Sequence, residues 1–238
     1  MKPASPQISG LLLFDKPKGI TSHDAVDLLR RRFNFKKIGH TGTLDPMATG
    51  LLVMLMGSAT KYQAKLQSCV KVYSGVVTLG VETDTWDAEG KVLRETPVAG
   101  ITQEKIKNVI GFFTGKVVQQ VPSFSAVRYK GTHLYKLARK NSAVPAIRRE
   151  VNIKWNRYSF KEPSLKFEVE CSGGTYVRSI AYEIGRMLGT GGHLSELRRL
   201  SVNRWTVADA LDRETLQELP LDSLKARLLE VPPDLKNL

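Results

Sequence analysis

The sequence predicts an α/β protein of the α+β type, with a mixed, largely antiparallel central sheet flanked by helices. Strand-like and helix-periodic segments follow one another irregularly along the chain, without the strict strand–helix repeat that builds a parallel sheet. At 238 residues, with 42% hydrophobic and 25% charged side chains, the chain can bury a substantial core without disulfides. It shows no internal repeat, low-complexity tract or interdomain linker, so a single domain over residues 1–238 is expected.

Gly10–Phe14 is a continuous apolar run and reads as a short buried strand, ended by Asp15-Lys16-Pro17-Lys18-Gly19. Thr21 or Ser22 then caps a helix whose apolar residues Ala25, Val26, Leu28, Leu29 and Phe33 recur at helical spacing. Arg30, Arg31 and Arg32 fall in its last turn, which suits the helix dipole and leaves an RNA contact open as a second use. A glycine-rich loop follows, and the apolar run Leu51–Met56 anchors it to a core. Ala59–Gln67 reads as a short helix. Val70–Leu79 reads as a strand with Val70, Val72 and Val76 on one face and Lys71, Tyr73 and Val77 on the other. On that pattern alone Tyr73 is a half-buried core aromatic.

Asp84–Gly90 is a turn and Thr102–Phe113 a helix. Val117–Val121 and Ser125–Tyr129 are strand-like, separated by Pro122. Lys130–Ile147 is expected to form an extended arm with a short helix around Leu134, Leu137 and Ala138. Arg148–Phe160 and Leu165–Cys171 are two further strands, and Ser172-Gly173-Gly174 breaks the second. Thr175–Arg178 leads into a helix with Ile180, Ile184 and Leu188 in one row, closed by the Gly189–Gly192 loop. Two short polar-faced helices finish the chain.

The formal net charge is +13, and its distribution is uneven. Between Lys116 and Lys161 there are eleven lysines and arginines against one acid, Glu150, whereas Glu82–Glu95 and the stretch from Asp209 onward lean acidic. Such a lopsided block points to a polyanion-binding face. Met1–Pro6 contains no apolar core of signal-peptide length, and no segment approaches the roughly 18 apolar residues of a membrane span. Cys69 and Cys171 stand far apart with no companion ligand and read as apolar side chains in a reducing compartment. The expectation is a cytoplasmic protein with no membrane partner.

Several chemistries lack their signatures. His23, His40, His133 and His193 are scattered without metal-ligand spacing, so no metal is expected. Neither glycine-rich loop ends in a phosphate-loop lysine, and Gly189-Thr190-Gly191-Gly192 follows a helix, not a strand. No serine-hydrolase elbow is present. What remains is cofactor-free side-chain chemistry, and the richest segment for it is Gly39-His40-Thr41-Gly42-Thr43-Leu44-Asp45-Pro46-Met47-Ala48-Thr49-Gly50. It presents one carboxylate, Asp45, in a loop punctuated by three glycines and a proline. Two readings are open at this point: a tight turn closed by an Asp45 side-chain hydrogen bond, or a carboxylate displayed for catalysis.

The same segment, continued through Leu51-Leu52, resembles the signature of the TruB family of tRNA pseudouridine-55 synthases. The resemblance extends in order through Leu13–Gly19, Lys71-Val72-Tyr73, Val121-Pro122-Ser123, Cys171–Arg178 and Leu197–Leu200, covering about Gly10 to Arg204. It implies the pseudouridine-synthase fold and the cofactor-free isomerisation of uridine 55 in the tRNA T-loop by base flipping. Asp45 becomes the essential carboxylate, Arg178 the arginine that pairs with it, and Tyr73 the aromatic that stacks on the target ring and helps move the C5 proton. His40 is implied to contact the RNA and fill the space left by the extruded base, with Lys16, Tyr176 and Leu197 around the base. The basic arm, about residues 122–150, matches the element that closes over the T-stem and loop, which implies a stand-alone enzyme that uses no guide RNA; a monomer is the simplest expectation. Gly173 stands where a lysine often sits in the family. The residues after Asn203 are too few for the C-terminal RNA-binding PUA domain of many members, so the short form is implied. The rival class is a non-catalytic RNA-binding or tRNA-folding module with a vestigial site.

Overall fold

A computed structural model describes residues 8–236. The expectation that Met1–Pro6 holds no signal-peptide core therefore lies outside the described residues. Along the chain run β1 (Gly10–Lys16), α1 (Ser22–Phe33), β2 (Ile38–His40), β3 (Thr49–Met56), α2 (Gln63–Ser68), β4 (Lys71–Leu79), β5 (Val81–Thr83), β6 (Val92–Glu95) and α3 (Gln103–Phe112). Then come β7 (Gly115–Gln120), β8 (Arg128–Tyr129), β9 (Thr132–His133), α4 (Leu134–Arg139), β10 (Arg148–Lys161), β11 (Ser164–Cys171) and α5 (Val177–Met187). The chain closes with β12 (Gly192–Val202), β13 (Trp205–Thr206), α6 (Arg213–Glu218), α7 (Leu221–Ala226) and α8 (Pro233–Lys236). Hydrogen-bonded strand order is β1-β3-β12-β4-β11-β10-β7, with β2 on β3 and β13 on β12. β3 and β12 pair in parallel, whereas β1–β3, β2–β3, β12–β13, β11–β10 and β10–β7 are antiparallel. The expected mixed, largely antiparallel sheet is present.

Two compact units divide the chain, Met1–Tyr73 with Arg198–Leu238, and Ser74–Leu197. In the first, β1 and β3 are apolar at every position because both faces are covered. Leu12, Phe14, Leu52, Met54 and Met56 enter a core with Ala25, Val26, Leu29 and Phe33 of α1 and with Leu211, Leu216 and Leu224. The alternate residues Leu11, Leu13, Leu51, Val53 and Leu55 enter a second core with Ala59, Leu66, Val202 and Trp205. Truncating one such leucine to alanine costs about 2–5 kcal/mol. β1 runs two residues beyond the expected strand: Asp15 and Lys16 continue the ladder opposite Leu51 and Gly50, and the Asp15 amide donates to Leu211 O at 2.8 Å. Thr21, not Ser22, caps α1, in a capping box with Asp24.

In the second unit β10 pairs with β11 and β7, and a bulge between Trp155 and Arg157 shifts the β11 register. α5 buries Val177, Ile180, Ala181 and Ile184 on one face, as the Ile180 and Ile184 spacing predicts, whereas Leu188 caps the helix end and is half-buried. Gly185 lets α5 approach the chain at Gly191 and Gly192, where an added Cβ would lie 2.3 Å from backbone atoms. The expected strand Ser125–Tyr129 survives only as Arg128–Tyr129, turning through Lys130 and Gly131 at φ 46° and 81° into β9. Ser125–Val127 cannot pair as a strand because their carbonyls serve the turn into α4. Ser125 O and Val127 O accept from the Tyr135 and Leu134 amides, and Ala126 O lies 2.7 Å from the His133 ring.

Candidate active site

In the first unit, the loop between β2 and β3 presents Asp45, and several bonds fix its path. Thr41 N donates to Val53 O at 3.0 Å, and Ala48 N closes a turn on Asp45 O at 3.0 Å. The Ser22 hydroxyl accepts from Leu44 N at 2.8 Å and donates to Leu44 O at 3.2 Å. Pro46 O accepts from Gly19 N at 2.8 Å and from the Lys16 ammonium at 3.4 Å. Leu44, Met47 and Ala48 are buried beneath the loop while Asp45 is half-buried above them. Asp45 is therefore held from both sides without being sealed in.

Buried cations hold this loop. Lys16 is fully buried, and its ammonium also donates to Pro17 O and Ile20 O at 2.9 and 2.7 Å. Arg199, on β12, is 1% exposed; Nε donates to Leu51 O at 2.6 Å and Nη2 to Gly42 O at 3.2 Å. Its register partner on β3 is Gly50, at φ 100°, where a Cβ would meet Arg199 O at 2.3 Å. Glycine is required there, because backbone replaces the space a side chain would need. Beside Arg199 in sequence, Arg198 grips Asp15 with both nitrogens, at 3.0 and 2.6 Å.

His40 ends β2, and its Nδ1 is buried with no hydrogen-bond partner among the described residues. Burial first, and the Arg199 charge second, hold its imidazole below the ordinary 6.5, so the ring is neutral at neutral pH. Tyr73 is buried at the third position of β4 on the face it shares with Lys71 and Val77, as the alternation predicts.

The second unit holds Tyr176, Arg178 and Leu197. Tyr176 stands at the start of α5, pinned by the Gln119 side chain. Gln119 Oε1 accepts from Tyr176 N at 2.6 Å, and Nε2 donates to Tyr176 O at 3.3 Å. Arg178, in the first turn of α5, is 4% exposed and donates Nη1 to Thr85 O at 2.9 Å and Nη2 to Phe124 O at 3.0 Å. Its Nε lies 3.5 Å from the buried Asp87 carboxylate. Asp87 is itself fixed, its Oδ1 accepting from Thr85 Oγ1 at 2.6 Å and Glu89 N at 3.0 Å. Between Thr85 and Asp87, Trp86 adopts φ 63° and stacks on Tyr182, centroids 4.4 Å apart and planes 13° from parallel. Leu197 is buried on β12. Among the described residues no three His, Cys, Asp or Glu side chains lie together in a way that could hold a metal ion.

Sequence reasoning passed over Asp87, Arg199, Gln119 and Ser22 as working residues. Asp87 read only as part of a turn, and Ser22 as a possible cap. Arg199 carried one available signal: it alternates with Leu197 on a strand whose face is buried, a position where an unpartnered arginine would not stand.

Comparison with known proteins draws these features together. Residues 30–177 match the family described as TruB family pseudouridylate synthase (N terminal domain). Residues 178–230 match the tRNA pseudouridylate synthase B C-terminal domain. The tRNA pseudouridine synthase B of Opitutus terrae is 42% identical over 226 residues, covering 94% of this chain and 94% of its own. That of Aromatoleum aromaticum is 43% identical over 217 residues, covering 91% and 70%. Among solved structures, an H/ACA RNP bound to a substrate RNA containing 2′-deoxyuridine aligns at TM-score 0.64 and 25% identity, over 88% of this chain and 52% of that one. A Cbf5-Nop10-Gar1 complex aligns at TM-score 0.67 and 24% identity, over 94% and 60%, and shares the fold. The chain spans a little over half the length of these solved chains. With its aspartate loop, its arginine at the head of α5 and both parts of the family pattern in order, the chain belongs to the TruB family of pseudouridylate synthases.

Proposed function

We propose that this chain isomerises a uridine of tRNA to pseudouridine, namely uridine 55 in the T-loop, without a guide RNA and with Asp45 as the essential carboxylate. The observation that carries the reading is the Asp45 loop. One half-buried acid is fixed at its own turn and at Leu44, Pro46 and Gly42 by Ser22, Lys16 and Arg199, in a member of a pseudouridylate synthase family. The reaction breaks the N1–C1′ bond, rotates the uracil, forms C5–C1′ and moves the C5 proton to solvent or a base while N1 takes one up. Electrons balance within the nucleotide, so side chains suffice. Asp45 acts as nucleophile or as base at the sugar, Tyr73 stacks on the flipped ring, and Arg178 supplies the cation that keeps the carboxylate charged and aimed. Tyr176 and Leu197 are assigned the apolar walls around the base. Lys16 acts through the loop it holds, and the neutral His40 ring offers a hydrogen-bonding edge to the RNA. Arm cations such as Arg148 and Arg149 supply phosphate affinity along the T-stem, and a single copy of the chain is the working form.

Asp45→Asn tests the assignment. Tritium release from C5-labelled unmodified tRNA is expected to fall by more than about 10³-fold with tRNA binding retained. Residual isomerisation within tenfold of wild type would remove Asp45 from this role. A wild-type protein that binds tRNA but forms no pseudouridine would favour the RNA-folding module.

A further inference from the structure

β7 inverts the usual partition of side chains. Val118 is 63% exposed, while the next residue, Gln119, is 4% exposed. A buried amide is costly unless it is hydrogen-bonded, whereas a valine in its place would bury without that demand. The register against β10 sets Gln119 opposite Arg149 and Val118 opposite Glu150, so one ladder turns the glutamine in and the valine out. A local rule that is broken and then compensated is expected where function requires it.

The group that the amide serves is the head of α5. Other helices carry their own caps: Thr21 accepts from Asp24 N on α1, Thr102 from Lys105 N on α3, and Asp212 from Thr215 N on α6. The N-cap of α5 is Tyr176, at φ −104° and ψ 104°, and its side chain makes no cap hydrogen bond. β7 takes over that work. Gln119 Oε1 accepts from Tyr176 N at 2.6 Å and Nε2 donates to Tyr176 O at 3.3 Å, as a neighbouring strand would. The Ser179 hydroxyl, in the first turn, donates to Gln120 O at 2.7 Å, and Ser179 N donates to Tyr176 O at 3.1 Å. Two consecutive residues of β7 therefore fix both the residue before the helix and the turn that carries Arg178.

We propose that Gln119 is a positioning residue for the reaction. Its amide holds both backbone polar groups of Tyr176, which frees the N-cap for an aromatic side chain and sets where that ring and the Arg178 turn point. The proposal rests on the pseudouridine-forming reading above, in which Tyr176 walls the base and Arg178 aims the carboxylate. It gives the geometry of the pocket wall to an amide that works through the backbone.

Gln119→Met keeps the volume and removes both bonds. Its single-turnover rate of tritium release from C5-labelled tRNA is expected to fall about 10–10²-fold, the scale of a misplacement near 1 Å, with the tRNA Kd within about twofold of wild type. Gln119→Glu keeps the acceptor for Tyr176 N and loses the donor to Tyr176 O, so its rate falls between those of methionine and wild type. Leu165→Val loosens buried packing at the end of β11 remote from the head of α5, and this control for stability keeps the wild-type rate. A folded methionine variant within about twofold of the wild-type rate overturns the proposal and leaves the enzymatic reading standing. So does a glutamate variant no faster than the methionine one, or a control that slows by the same factor. If the methionine variant does not fold, the glutamate variant decides: the wild-type rate overturns the proposal, and a slower rate with unchanged Kd supports it. Wild-type protein that forms no pseudouridine overturns both readings.

Discussion

Arg199→Met removes a cation from the floor of the aspartate loop, and the structure sets the size of the effect. The guanidinium is 1% exposed and makes two charge-assisted bonds, to Leu51 O and Gly42 O. Depriving two buried acceptors of their donor costs about 1–3 kcal/mol each. Removing the desolvated charge returns part of that, as buried ions replaced by apolar groups of similar volume often show. A net loss of about 2 kcal/mol follows, equivalent to a fall in Tm of about 4–8 °C for a chain of this size. The substitution also lifts a positive charge from His40. Its imidazole pKa is expected to rise, while burial, the larger cause, keeps it below 6.5. Because the folded pKa lies under the unfolded one, the unfolded chain binds the proton more readily. The His40 contribution is therefore harmless above 6.5 and destabilising as pH falls from there toward the folded value, a slope that Arg199→Met should soften. Urea melts between pH 5 and 8, with a histidine-resolved proton titration, would measure both. A variant as stable as wild type, with the His40 titration unmoved, would refute this account of Arg199.

Two further outcomes can be checked in the same way. Gly50→Ala drives a Cβ to 2.3 Å from Arg199 O at φ 100°, whereas Gly19→Ala, at φ 88° with nothing within 4 Å, meets only backbone strain. We expect Gly50→Ala to lose at least about 3 kcal/mol and Gly19→Ala about 1 kcal/mol, and equal Tm shifts would contradict the parallel β3–β12 register. Arg178→Lys cannot serve Thr85 O, Phe124 O and Asp87 from one ammonium. A loss of about 2–4 kcal/mol is expected by chemical denaturation, partly recovered when combined with Asp87→Asn; strict additivity of the two changes would deny the coupling.

Much of the fold was legible because periodicity and burial coincide. The six-residue run Leu51–Met56 forms a strand buried on both faces, and the Ile180–Ile184 row is the buried face of α5. Tyr73 falls on the face its alternation assigns. What stayed hidden depended on partners distant in sequence. Ser125–Val127 has strand-like composition, but its carbonyls are taken by α4 and His133. Alternation with Leu197 marks Arg199 as a buried position, but nothing local says what it clamps, with Leu51 lying 148 residues away. Asp87 looked like a turn residue and is one, yet the same geometry turns its carboxylate to Arg178.

The Trp86–Tyr182 stack has a use beyond holding its loop. Trp86 is flanked by two of the residues that engage Arg178, one through a backbone carbonyl and one through a carboxylate. Its indole is the sole one of three to lie face to face with a tyrosine ring, since Trp155 meets its aromatic neighbours edge-on. Near-ultraviolet dichroism and fluorescence from that pair therefore carry an optical signal sited one residue from two of the contacts that hold Arg178. A chain with phenylalanine at Trp155 and Trp205 would draw its tryptophan signal from Trp86 alone.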